Sequence, residues 1–344
     1  MKQNTSQANT EAKRLPWQKA VAKYQIPNLR KSYWQIANSI IPYFALLYLM
    51  YLSLSVSYWL TLALALPTAG FLVRIFIIFH DCGHGSFFKS QKANDFWGFI
   101  TGVLTYTPYH YWRKDHAVHH ATVSDLDRRG VGDVKTLTVK EYLALSPWQK
   151  FIYRFYRNPL VMFVFGPSIV FLLVHRFARR DAGRRERHSV YWNNLGLLAV
   201  YALVLWTVGI EAYLLIHLPV LLIGFTGGVW MFYVQHQFEG TYWEDHENWD
   251  FVTAALKGSS FYKLPKVLQW FSGNIGYHHI HHLSPRIPNY NLEACHKENP
   301  MFQDIEPITF FESFKSIKFR LWDDEKKILV GFDYLRNLAR ERAF

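Results

Sequence analysis

Sixteen histidines occur in this chain of 344 residues, and eight of the sixteen stand at helical spacing within three tight clusters. HDCGH carries His80 and His84, WRKDHAVHH carries His116, His119 and His120, and IGYHHIHHL carries His278, His281 and His282. A ninth, His236, stands alone in FYVQHQFE. On a helix, residues four apart share a face with Cβ atoms about 5–6 Å apart, so His80 and His84 can reach one point. The spacing i, i+3, i+4 puts each triplet at roughly 0°, 300° and 40° about the helix axis, a single stripe. His279 sits at about 100°, off that stripe, and is expected not to be a ligand. Clustered imidazoles repel one another when protonated and are costly to bury unpaired. A bound metal removes both penalties by holding them neutral.

Imidazole suits zinc, iron, copper and nickel. A catalytic zinc takes about three protein ligands, so nine are too many for one ion. Two metals with four or five ligands each would use them all. Carboxylate di-iron bundles rely on paired Glu-x-x-His motifs, and only Glu293 and His296 show that spacing here. A pair of irons held by imidazole alone fits better, with no catalytic residue expected beyond the ligands. The second ring nitrogen of each ligand needs a partner. Asp81, Asp115, Asp125, Glu239 and Asn274 are the nearby candidates, against the plainer roles of capping and solvated side chains. Asn274 shares the face of His278 if its helix begins that early. The other histidines, His110, His175, His188, His217, His246 and His296, are expected to be ordinary polar residues. His217, inside an apolar run, is expected to make a local hydrogen bond.

Apolar residues make up 50% of the chain and charged residues 19%, a mixture of membrane spans with a substantial polar part. About 20 apolar residues are needed to cross a bilayer, and segments 36–54, 58–79, 191–210 and 212–234 qualify. The first two are expected to form a tight hairpin and the last two to hinge at Glu211. Segment 97–109 is too brief to cross, and 159–174, broken by Gly166 and Pro167, reads as re-entrant or surface-lying. Lys13, Arg14, Lys19, Lys23, Arg30 and Lys31 precede the first span, six arginines lie between Arg176 and Arg187, and the hairpin tips carry no Lys or Arg. Four spans therefore place every basic block, every histidine cluster and both termini on the cytoplasmic side of the cell membrane. Arg74, inside the second span, is expected to snorkel to the headgroups, with a contact to a lipid phosphate as the alternative.

The predicted fold class is an all-α integral membrane protein of four transmembrane helices, with a cytosolic helical cap that carries a histidine-rich dimetal site. One domain covers 1–344. It comprises a basic arm (1–35), a hairpin (36–79), the first two histidine clusters (80–158), the re-entrant segment and basic loop (159–190), a second hairpin (191–234) and the cap (235–344), with SPRIPNYNL as an extended turn. The net charge of +12 flanks apolar spans instead of forming a soluble stripe, which disfavours a nucleic-acid partner. The amino terminus has no cleavable signal pattern. The two cysteines form no CxxC, and neither GxGxxG nor a P-loop occurs. Reducing equivalents must therefore come from another protein or a diffusible donor.

HDCGH, HAVHH, QHQFE and HHIHH in this order resemble the membrane fatty acid desaturases. The strings FIIFHDCGHGSFF, FYVQHQFEGTYW, GNIGYHHIHHLSPRIPNYNL and FRLW are most similar to the bacterial acyl-lipid Δ5 phospholipid desaturases. The likeness covers nearly all the chain beyond the basic arm. It implies that His80, His84, His116, His119, His120, His236, His278, His281 and His282 bind two irons. It also implies dioxygen as co-substrate, a cis double bond placed in the acyl chain of a membrane lipid, and electrons from ferredoxin or flavodoxin. The acyl-CoA branch has asparagine four residues before the isolated histidine, whereas Phe232 stands there in this chain; Asn274 or water could substitute. Trp97, Tyr106, Tyr109 and Trp112 are candidates to line the mouth of an acyl channel, or to anchor at the interface. A diiron membrane hydroxylase of alkanes or lipids is the nearest alternative reading, and a membrane metal carrier or sensor the remote one.

Overall fold

The computed structural model describes residues 15–341. The first fourteen residues of the basic arm, with Lys13 and Arg14, and the last three of the chain lie outside them. Helix α1 (Pro16–Ala22) leads into α2 (Leu29–Ser53). The second of these starts seven residues earlier than its apolar run, because Asn28 caps it by accepting from the Lys31 amide at 3.1 Å. Helix α3 (Tyr58–His84) packs back along α2 after a short turn. It outlasts its apolar stretch and ends only where Gly85 adopts a left-handed φ of 67°. HDCGH is thus the last turn of a long apolar helix.

Helices α4 (Gln91–Leu104) and α5 (Tyr109–Thr122) follow. At 14 residues α4 is about 21 Å long, too short to cross a bilayer. Helices α6 (Val139–Ala144) and α7 (Pro147–Tyr156) lead to a π-helical turn (Val161–Phe165) that continues as α8 (Gly166–Leu172). The axis bends by 60° between α7 and the stretch from Val161 onwards.

Helix α9 (Arg184–His236) has 53 residues, about 80 Å if straight and far more than a bilayer needs. It is not straight. Gly209 has φ 80° and ψ 165°, a conformation essentially closed to residues with a Cβ. The ring centroids of Tyr201 and Tyr213 lie 5.7 Å apart, whereas twelve residues of straight helix would separate them by about 18 Å. The chain therefore doubles back on itself. The hinge expected at Glu211 is at Gly209, since only glycine tolerates the required backbone. Both limbs pack on the first hairpin: Leu197, Val220 and Phe225 join Tyr43, Met50, Ala69 and Leu72 in one buried cluster. A Cβ on Gly224 would meet the Leu72 side chain at 2.9 Å, so this glycine sets the close approach of α9 to α3.

By length and apolarity α2, α3 and α9 can cross a membrane, and the bent α7–α8 pair passes the same test when its two pieces are taken together. Beyond α9 come α10 (Phe251–Lys257), α11 (Lys266–Phe271), α12 (His278–Leu283), α13 (Asn289–Glu298) and α14 (Phe332–Glu341). The fold is mostly helical, but the all-α expectation needs correction. Strands β1 (Leu137–Thr138), β4 (Leu321–Asp323) and β5 (Ile328–Val330) form one small sheet in the order β1-β4-β5, and β2 (Phe261–Lys263) pairs in parallel with β3 (Pro307–Thr309). Strands of two or three residues are too short to show a period of two in the sequence. Arg157, fully buried, ties these parts to the bundle: its guanidinium donates to the carbonyls of Lys135 at 3.1 Å and Phe319 at 3.0 Å, and to the Tyr233 hydroxyl at 3.3 Å. Within SPRIPNYNL only 284–288 lies outside helix, as a turn closed by the Ile287 amide donating to the Ser284 carbonyl at 3.1 Å, because Asn289 already begins α13.

Candidate metal centre

Four elements bring the nine clustered and isolated histidines to one place. The last turn of α3 supplies His80 and His84, α5 supplies His116, His119 and His120, the end of α9 supplies His236, and α12 supplies His278, His281 and His282. Two groups result. The ligand atoms of His80, His84, His116, His120 and His281 all lie within 4.8 Å of one another, as do those of His119, His236 and His282. His278 completes the second group, its Nε2 3.0 Å from that of His236 and 3.1 Å from that of His282. Each stripe is shared: α5 sends His116 and His120 to one group and His119 to the other, and α12 divides in the same way. The groups are neighbours, with the His120 and His282 rings stacked at 4.0 Å.

Hydrogen bonding at the outer nitrogens decides what the inner ones present. His119 Nδ1 donates to the Asp133 carboxylate, and His236 Nδ1 to the Gly258 carbonyl at 3.4 Å. In neutral imidazoles this leaves lone pairs on both Nε2 atoms, which nevertheless lie 3.1 Å apart. Two lone pairs so close repel, and a cation between them removes the conflict. His80 Nδ1 likewise donates to Asp81 Oδ1 at 3.2 Å, turning its Nε2 inward. Burial, and then the neighbouring imidazoles, hold His116, His120, His278, His281 and His282 well below the ordinary histidine range, so they are neutral at physiological pH. Neutral imidazole is the form that binds metal. The nine residues fit a pair of metal ions in groups of five and four.

The sequence model of the fatty acid desaturase family matches residues 53–308. The chain belongs to the fatty acid desaturase family. It is 51% identical over 320 residues to a "Fatty acid desaturase" of Bacillus subtilis (strain 168), covering 93% of this chain and 91% of that one. Two proteins of Synechocystis sp. are more distant: an "sn-1 oleoyl-lipid 12-desaturase", 28% identical over 75% of this chain and 72% of its own, and an "sn-1 acyl-lipid omega-3 desaturase (ferredoxin)", 26% identical over 71% of each.

The surroundings of the histidines in this desaturase differ in part from the sequence expectations. Asp81 does contact a histidine, and its other oxygen accepts from the Asn289 amide at 2.6 Å and side chain at 2.8 Å, locking α3 to the start of α13. Asp115 instead pairs bidentately with Arg179, both contacts at 2.7 Å. Asp125 is buried against Arg128 and His246, and Glu239 is exposed. Asn274 is not on a helical face with His278: α12 begins only at His278, and Asn274 has a left-handed φ of 60° and hydrogen-bonds Gln269 and Asn289. Glu293 is held by Lys266 and Lys297. Sequence spacing does not reveal Asp133, the partner of His119, or Asn289, the partner of Asp81, because neither lies at helical spacing from the residue it holds.

Phe232 packs its ring 5.2 Å from both His119 and His236, an apolar wall that offers no ligand atom. Trp112 stacks on His116 at 4.2 Å. Tyr109 is buried and donates to the Cys82 carbonyl at 2.6 Å, Tyr106 sits in the core with its hydroxyl 3.2 Å from that of Tyr213, and Trp97 packs at the edge of the Phe79–Phe87 cluster. Arg74 does not snorkel. Trp270 covers its guanidinium at 3.9 Å and accepts from it through the backbone carbonyl. His217 stacks on Tyr213 at 4.5 Å.

His279 stands outside both groups. It is buried against Phe261 and His296 with its Nε2 3.3 Å from the Phe302 carbonyl, and burial lowers its pKa to about 3. His279→Ala should keep the full metal content while losing about 1–3 kcal/mol of stability, the size of a lost buried hydrogen bond with its packing. Metal analysis beside a thermal melt checks this; depletion of metal would move His279 into the ligand set.

Proposed function

We propose that this enzyme introduces a cis double bond into the acyl chain of a membrane lipid, using dioxygen and two irons held by His80, His84, His116, His120 and His281 on one side and His119, His236, His278 and His282 on the other. The carrying observation is the division of nine imidazoles into adjacent groups of five and four, with inner nitrogens that face one another as lone pairs. The names of the relatives support the reaction class, and the lipid-acyl relatives favour an esterified substrate. The strings shared with the Δ5 branch make carbon 5 of a phospholipid acyl chain the preferred position. In balance, –CH2–CH2– plus O2, two electrons and two protons gives –CH=CH– and two waters.

When bound, the irons supply the redox capacity to reduce dioxygen and to take hydrogen from an unactivated C–H bond, which no side-chain base can do. The protein's own residues position and shield. Asp81, Asp133 and the Gly258 carbonyl fix the tautomers of His80, His119 and His236. Trp112, Phe79 and Phe232 wall the centre with rings, which excludes water from the place where the chain must lie. The electrons come from an external donor of the ferredoxin or flavodoxin kind. In this reading α2, α3 and the two limbs of α9 make four crossings, with the centre and the basic segments at the cytoplasmic face, as the placement of Lys and Arg favours.

The test is expression in a host whose lipids are saturated, with mass spectrometry of the acyl chains. A new double bond at one position, in intact phospholipid, is the expected product. A hydroxylated chain, or no change in the presence of a working donor system, overturns the proposal.

A further inference from the structure

Outside the two histidine groups, α4, the start of α5 and the first turns of α9 line a cleft of about 670 Å³, within the range of small-ligand sites. Asp95 and Phe99 line one wall, and Arg184, Arg185, His188 and Trp192 the other. The charges do not cancel. Asp95 faces Arg185 at 3.4 Å and Arg113 at 3.8 Å, and Arg184 has no carboxylate partner among the described residues. Guanidinium groups grip phosphate through paired N–H donors, so an excess of them in a concave site favours a phosphate-bearing ligand. The other half of the cleft is apolar. Phe99 and Trp192 face it from the two walls, and beyond Trp192 the exposed Leu195 and Leu198 continue along α9 as a greasy stripe. Charge at one end and an apolar track leaving the other match an amphiphile of the bilayer.

The cleft also adjoins the metal centre. Tyr109, on its inner wall, lies with its ring 5.9 Å from Phe79, which is 4.9 Å from Trp112, the ring stacked on His116. A Cβ on Gly98 would lie 2.2 Å from the Tyr109 ring, so this glycine lets the ring pack closely against α4.

We propose that this cleft seats the headgroup end of the substrate, an intact glycerophospholipid, with its phosphate on Arg184 and Arg185 and only the start of its acyl chains against Phe99 and Trp192. The assignment of the lipid as substrate rests on the desaturase reading above; the phospholipid site itself does not. The purified full chain is titrated in detergent with phosphatidylglycerol, with diacylglycerol bearing the same chains, and with inorganic phosphate, and adducts are read by native mass spectrometry. Phosphatidylglycerol should bind at least tenfold tighter than either other probe. Arg184→Gln with Arg185→Gln should weaken it about tenfold and leave diacylglycerol unchanged, whereas Arg180→Gln, an exposed neighbour outside the cleft, should behave as wild type. In turnover the double variant should raise KM for phosphatidylglycerol about tenfold with kcat within about twofold. Unchanged phosphatidylglycerol binding in the double variant, an equal loss in Arg180→Gln, or inorganic phosphate binding as tightly as the lipid each overturns the site. If wild type makes no double bond but its lipid binding still depends on the two arginines, the desaturase reading falls and the phospholipid site stands.

Discussion

Replacing His120 with alanine is expected to abolish double-bond formation and to lower the iron content below two per chain. His120 sits at the boundary between the two groups. Its Nε2 is 3.1 Å from that of His281 and 3.2 Å from that of His116, while its ring stacks on His282 of the other group. Removing it takes a ligand from the group of five and the spacer from between the two groups. Loss of a hydrogen-bond partner to a metal-bound histidine typically weakens metal binding about 10–100-fold, so loss of the ligand itself should exceed that range. Iron per chain by elemental analysis, with acyl-chain mass spectrometry on the same preparation, reads both consequences. A variant with wild-type product and two irons would remove His120 from the centre. His279→Ala is the internal control, a histidine one helical step off the stripe.

Asp133→Ala should come next in size. The carboxylate accepts from His119 Nδ1 and so directs the His119 lone pair inward. It is also a negative charge beside a group of neutral ligands. Its removal should weaken iron retention about 10–100-fold, equivalent to roughly 1.4–2.7 kcal/mol. Asp133→Asn keeps an acceptor oxygen without the charge and should fall between alanine and wild type. Competition with a chelator, followed by iron analysis, orders the three proteins. Equal retention in Asp133→Ala and wild type would mean that the contact does not tune the ligand.

The histidine clusters were legible because a helix turns a spacing into a face. The intervals from His80 to His84, among His116, His119 and His120, and among His278, His281 and His282 each predict one stripe, and each stripe faces the others in the fold. The long apolar segments were legible for the same reason, by length and composition. What could not be read lies where no local period operates. Asp133 sits on a loop fourteen positions from the His119 it serves, and Asn289 meets Asp81 across more than two hundred. Asn274 was misplaced because helical phase was extended upstream of a helix that starts at His278. A charged residue such as Glu211 marks a break in an apolar run, but a reversal depends on backbone freedom, which Gly209 has. Arg74 was expected at the headgroups because nothing near it in sequence announces Trp270. Strands of two and three residues leave no pattern at all.

The distribution of the nine histidines along the chain has a consequence for biogenesis. They run from His80 to His282, on both sides of the reversal at Gly209. Synthesis delivers them in order, and no early segment contains all the histidines of either group. His119 must wait for His236, and His120 for His281, until most of the polypeptide has left the ribosome and α9 has doubled back. On the diiron reading proposed above, cofactor loading would therefore be a late, post-translational event, and iron content would report on correct maturation of the whole chain.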